Sequence, residues 1–232
     1  MKSPEAQKVL DKIIKQIAGF DNTLTLEQFK QKFAYDIDLP VEVNDTTTGE
    51  KTWTGTMNAG KYMTLSNAHN RAGVDDWMLP KRPIESINDI LAAWNEVNYA
   101  TTERHIDSLN VDESDTIYFS ENVYRSQDIR KSKNVVYCDG GENNEYVAAC
   151  QRSGGLAYCI RAADSGECSN SFSVVWSAKI VNCLFVQDSS NLYECMFCSK
   201  LKDKKYCIGN MQFEETEYFR LKEQVLKWLF TA

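Results

Sequence analysis

Through residues 108–212, small or apolar residues return at every third position. In rows of twelve the stretch reads SLNVDESDTIYF, SENVYRSQDIRK and SKNVVYCDGGEN, then a nine-residue row, NEYVAACQR, from Asn144. The rows SGGLAYCIRAAD, SGECSNSFSVVW, SAKIVNCLFVQD, SSNLYECMFCSK and LKDKKYCIGNMQ follow from Ser153. The first column is nearly all Ser, the fourth largely Val, Leu or Ile, the seventh only Ser or Cys, and the tenth mostly apolar or small. A period of three fits neither an amphipathic helix nor an alternating strand. It predicts short strands between tight corners, a β-solenoid of small coil in which equivalent residues stack inward from coil to coil. On this register Ser126, Cys138, Cys150, Cys159, Cys183 and Cys195 point inward and share one column, their small size suiting a closely packed interior. The nine-residue row then deletes one three-residue unit, and a row is either one coil or half of one. The recurring Asn110, Asn122, Asn134 and Asn191 are expected at turns, where Asn tolerates left-handed backbone.

The flanks follow other periods. In residues 3–18, Leu10, Ile13, Ile14 and Ile17 share one helical face, with Pro4 in the first turn and Gly19 near the end. Thr25 and Gln28 have capping-box spacing for a second short helix. VEVNDTTTGEKTWTGTM reads as a hairpin turning near Gly49, residues 58–80 as loop, and Ser86 with Asp89 as the cap of a helix carrying Ile90, Leu91, Trp94 and Val97. After the repeat, Tyr218, Leu221, Val225 and Leu229 form a helical stripe with Leu226 beside it. The predicted organisation is an α+β N-terminal docking region (1–107), a small-coil β-solenoid of twelve-residue repeat (108–212) and a C-terminal capping helix (213–232). The cap covers the apolar, unpaired last coil.

Residues 189–219, SSNLYECMFCSKLKDKKYCIGNMQFEETEYF, resemble the end of uncharacterised cysteine-rich repeat proteins of bacteriophages and small-genome bacteria. The matching residues are Cys198, Leu201, Lys202, Lys205, Tyr206, Cys207, Ile208, Asn210 and Gln212. The resemblance extends back to about Ser108 and implies the solenoid fold without implying an activity.

A net charge of −7, from 33 acidic against 26 basic residues, argues against a nucleic-acid or membrane-surface partner. The opening Met1-Lys2-Ser3-Pro4-Glu5 lacks the apolar core of a signal peptide, and no apolar run is long enough to span a bilayer, so a soluble protein of a virion or host cytoplasm is expected. All eight cysteines lie between Cys138 and Cys207, and in a cytoplasm they are expected to stay reduced. Cys195 and Cys198 have the spacing of half a zinc site, with Cys183 or Cys207 to complete it. The same spacing arises wherever two adjacent inward positions are both Cys, and packing is the preferred explanation. A cysteine nucleophile with His69 or His105 as base has no local signature, and the loop or surface is the expected place of both histidines.

The expectation is therefore a non-enzymatic structural or assembly protein, a bacteriophage virion component in the leading version, with no catalytic residues, metal or cofactor. Its partners would be itself or other virion proteins. The alternatives are an acidic solenoid that mimics nucleic acid and an enzyme with an unrecognised site. Trp53, Tyr62 and Trp77 are the candidate interface residues, being large amphipathic side chains near loops. Trp94, on a helix face, is expected in a core. Removal of residues 1–107 is expected to abolish binding and leave a folded rod.

Overall fold

The structure, a computed structural model, describes residues 1–73, 77–154, 160–163, 166–169 and 172–231. Four-residue strands from Leu109–Asp112 to Leu184–Gln187 carry left-handed residues within them, as at Asn110 and Thr116, and in the joints between them, as at Glu113 and Phe119, and pair in parallel with the strand twelve residues on. Val111 pairs with Val123, Val123 with Val135 and Val135 with Val147, while Ile117 pairs with Ile129 on another side. Twelve residues thus make one full coil. The β-solenoid ends at Lys202–Ile208, which turns back antiparallel onto Met211–Gln212.

The corners explain the period of three. From Asp107 to Ala149, and again from Ser173 to Tyr206, every third residue is left-handed, with φ between 46° and 59° at non-glycine positions and 77° at Gly140. Such backbone costs a non-glycine residue roughly 1–2 kcal/mol. The offset is a hydrogen bond at each turn: Phe119, Arg125, Lys131, Tyr137 and Ala149 each donate their N–H to a carbonyl of the preceding coil at 3.0–3.1 Å. Asn110, Asn122, Asn134 and Asn191 all sit at these corners, as expected. The first three form an amide ladder, Asn110 donating to Asn122 at 2.8 Å and Asn122 to Asn134 at 3.0 Å. Asn182 belongs to this ladder's corner by the twelve-residue count, whereas Asn191 lies on a neighbouring corner and donates to Asp203 at 2.6 Å.

The nine-residue row is corrected by the pairing. Ala148 pairs with Ile160, Gln151 with Ala163 and Gly154 with Gly166, so the count of twelve runs straight through and no coil is shortened. Inward residues remain inward, because a three-residue offset moves a side chain by one side of the coil without turning it out. Cys138, Cys150, Cys183 and Cys195 are all buried. They nevertheless occupy two columns: Ser114, Ser126, Cys138 and Cys150 stack on one side, Cys183, Cys195 and Cys207 on another. Cys159, with Leu156 and Ser171, lies outside the described residues.

On the outside, Tyr124, Val136, Ala148, Ile160, Phe172, Leu184 and Met196 recur every twelve residues as an apolar stripe along one flank. Helix α1 (Ser3–Ala18) lays Leu10, Ile13 and Ile14 on that stripe, and α2 (Leu26–Phe33) adds Phe29 and Phe33, with Phe33 edge-on to Phe172 at 5.3 Å. The C-terminal helix α5 (Glu215–Phe230) covers the last coils and joins the same core through Tyr218, Leu226, Leu229 and Phe230. A buried pair, Lys222 on Glu194, pins it. The expected boundary at residue 107 falls just inside the coiled sheet, whose parallel pairing begins with His105 on Ile117 and Ile106 on Tyr118. It does not divide the core, because α1 and α2 cover the solenoid's flank.

The predicted hairpin forms as β1 (Val41–Asn44) and β2 (Lys51–Thr54), with Gly49 left-handed at φ 77°. Residues 58–80, expected as loop, contain β3 (Lys61–Thr64) and α3 (Leu65–Arg71). The partner of β3 is the distant β4 (Tyr99–Thr102), joined in parallel, which a local pattern cannot reveal. Buried Asp115 locks this α+β part to the first coil, accepting from Gly55 N at 3.0 Å and from Arg104 Nη2 at 2.7 Å.

Candidate interaction surface

Helix α4 (Ile87–Val97) is capped as the sequence predicts, Ser86 accepting from Asp89 N at 3.3 Å, yet it has no buried residue. Ile87, Ile90, Leu91 and Trp94, at helical spacing of three and four, are 66%, 52%, 51% and 55% exposed. Ile84, just ahead of the helix, is exposed too. Trp94, expected in a core, therefore faces outward. Its indole is nonetheless anchored: with the Asn98 amide oriented so that its oxygen accepts, Trp94 Nε1 donates to it at 3.3 Å and Gly60 N at 3.2 Å. A rigid, outward-facing Trp amid aliphatic residues has the composition of an interface anchor.

The three sequence candidates are placed differently. Trp77 is at the surface, edge-on to Tyr99 at 5.6 Å with the Arg71 guanidinium 4.5 Å above its ring. Trp53 is half-buried beneath the Arg125 guanidinium at 5.1 Å, and Tyr62 is half-buried in β3. The structure brings Trp77 beside β4, which directly follows α4, and sets Trp53 against the solenoid. The signal missed in the sequence was Ile87, which extends the Ile90–Trp94 stripe by a turn to the start of the helix.

Two concave sites were also not legible. A cleft of about 920 Å³ lies between α2, the loop at 34–40, β2 and the coils, with Lys30, Asp38, Met57, Arg125 and Gln127 among its walls. A second, of about 540 Å³, brings His69 and His105 together with Ser66, Glu103 and Asp107. His105 Nε2 is already engaged, 2.7 Å from the Ser114 carbonyl oxygen. No cysteine lines this pocket, because the described thiols lie within the solenoid.

The thiols themselves are held as hydrogen-bonding groups. Cys195 N donates to Cys183 Sγ at 3.2 Å, and Cys198 Sγ donates to Met196 O at 3.2 Å. Its hydrogen bond with Cys183, then burial, push the Cys195 thiol up to about 12, and its bond with Cys195, then burial, raise Cys198 further. Protonated at neutral pH, these two are poor nucleophiles. Among the described residues, no group of three or more His, Cys, Asp and Glu side chains is arranged to hold a metal ion, and no helix is long and apolar enough to cross a membrane. Charges on the coils are mixed in sign, Lys133 lying 3.0 Å from Glu121 and Lys131 3.5 Å from Glu142.

Fold and surface together define a small-coil β-solenoid protein with helices docked on its flank and one apolar helix exposed. No family model, curated protein or solved structure matches the chain.

Proposed function

We propose that the protein is a non-enzymatic assembly protein, a stiff solenoid that presents the apolar face of α4 to a protein partner. The supporting observation is the exposure of Ile87, Ile90, Leu91 and Trp94 on one helical stripe, in a chain that buries the apolar faces of α1, α2 and α5. A contiguous apolar patch of this kind on a folded surface marks a contact site. The phage-like block at residues 189–219 favours a virion as the setting.

The test places a photo-crosslinking amino acid at position 94, and as control at Lys8 on the solvent side of α1, in cells that naturally make the protein. Discrete protein adducts are expected from position 94 and none from position 8. Folded protein that gives no adduct at 94 would contradict the proposal.

A further inference from the structure

Arg125, at a left-handed corner of the coils, holds its charge with too few partners. Its side chain is 24% exposed, its guanidinium lies 5.1 Å over the Trp53 ring, and among the described residues it makes no hydrogen bond, Nε being fully buried. The Glu113 carboxylate stands 3.8 Å from Nε, near enough to attract and too far to accept. A guanidinium carries five N–H donors in a planar fork, and withdrawing it from water without acceptors is costly. Buried polar groups in native folds are normally paired, so donors left open point to an acceptor that arrives from outside the chain.

Arg125 lines the cleft of about 920 Å³ between α2, the loop at 34–40, β2 and the coils, and Glu113 does not. Lys30, half-buried on α2, lines it too, and its ammonium has no hydrogen bond or ion pair among the described residues. Asp38 and Asp139 share the wall without pairing with either cation. Leu39, Pro40 and Met57 supply apolar surface beside them. A space within ~300–1,000 Å³, apolar in part and with a few polar groups, is that of a small-molecule site. Stacking on Trp53 fixes the guanidinium before a ligand arrives, which lowers the entropic cost of capture.

We propose that this cleft binds a small organic anion, a carboxylate or phosphate on an apolar body, with Arg125 and Lys30 holding the charged end. Both groups offer the oxygen fork that a guanidinium matches. The site goes beyond the assembly reading and does not depend on α4. The experiment is isothermal titration calorimetry of the full chain, in a phosphate-free buffer of low ionic strength, with benzoate, phenyl phosphate and neutral benzamide as probes. At least one of the two anions is expected to saturate at one site per chain, the stronger of them telling carboxylate from phosphate, and benzamide should not bind. Arg125→Gln and Lys30→Gln should each weaken that anion about tenfold or more, the size of one charge-assisted hydrogen bond. Lys133→Gln, on a coil and paired with Glu121, should leave it unchanged. Should Arg125→Gln fail to fold once its stack on Trp53 is lost, Lys30→Gln decides alone. No saturable binding of either anion overturns the proposal. So does benzamide binding as tightly as benzoate, or anion binding that Lys30→Gln leaves intact.

Discussion

Ser126 shows why the inward columns hold Ser and Cys. Its Oγ donates to Tyr124 O, two residues back, at 2.9 Å and accepts from Cys138 N, twelve residues on, at 3.0 Å. Ser120, Ser132, Ser177 and Ser189 repeat both bonds. A cysteine can do the same, as Cys183 does with Val181 O and Cys195 N, so the column selects a donor–acceptor atom at the γ position as well as small size. Ser126→Ala, which strands a buried N–H, is expected to cost about 1–3 kcal/mol in chemical denaturation. Ser126→Cys should cost clearly less. Acid is expected to act through Asp45 and Asp115. Burial alone would raise Asp115, but Arg104 and the N–H groups of Gly55 and Arg104 outweigh it and lower the carboxyl. Asp45 is lowered in the same way, its burial outweighed by Thr47, Thr64 and Asn67. Because both folded values lie below the unfolded ones, their stabilisation is complete above the ordinary carboxylate range near 3.9 and is lost as pH falls below it. Thermal melts should therefore show Asp115→Asn less stable than wild type at neutral pH, the gap narrowing as pH falls below about 4.

At the scale of elements, the sequence revealed most where chemistry repeats and least where partners are distant. The period of three, the one-sided α1, the caps of α2 and α4 and the hairpin were all legible, since each depends on residues a few positions apart. The absolute register was not. The Ser-x-x-Val-x-x-Cys unit marks a side of the coil, so when it shifts by three residues near Asn144 the sequence suggests a deletion while the backbone keeps counting twelve. Also illegible was the flank stripe. Tyr124, Val136, Ala148, Phe172 and Leu184 sit between inward positions, and only the stacked coils show that they align beneath α1 and α2. Trp94 looked like core for the opposite reason, because an apolar stripe has the same pattern whether or not it is covered. The flank stripe reverses the expected outcome of truncation. A chain beginning at Thr102 would uncover Val136, Ala148, Ile160 and Phe172, all buried in the full chain. It is expected to aggregate or bind a hydrophobic dye, as read by light scattering and fluorescence. A monomeric, dye-negative rod would show that the flank does not need its helices.

At the scale of the molecule, the described coils satisfy one another in register, three helices close one flank, and α4 alone among the described helices of eight residues or more buries none of its residues. That division, a self-satisfied scaffold carrying an unsatisfied helix, is the central claim, and hydrogen–deuterium exchange of the full chain at several protein concentrations tests it most directly. Amides of the coils and of α1 and α5 should be protected to the same degree at every concentration, because their partners lie within the chain. Amides of residues 87–97 should exchange faster than those of α1 and α5, because the apolar stripe of their helix is left uncovered. Exchange in α4 as slow as in α1 and α5 would contradict the account.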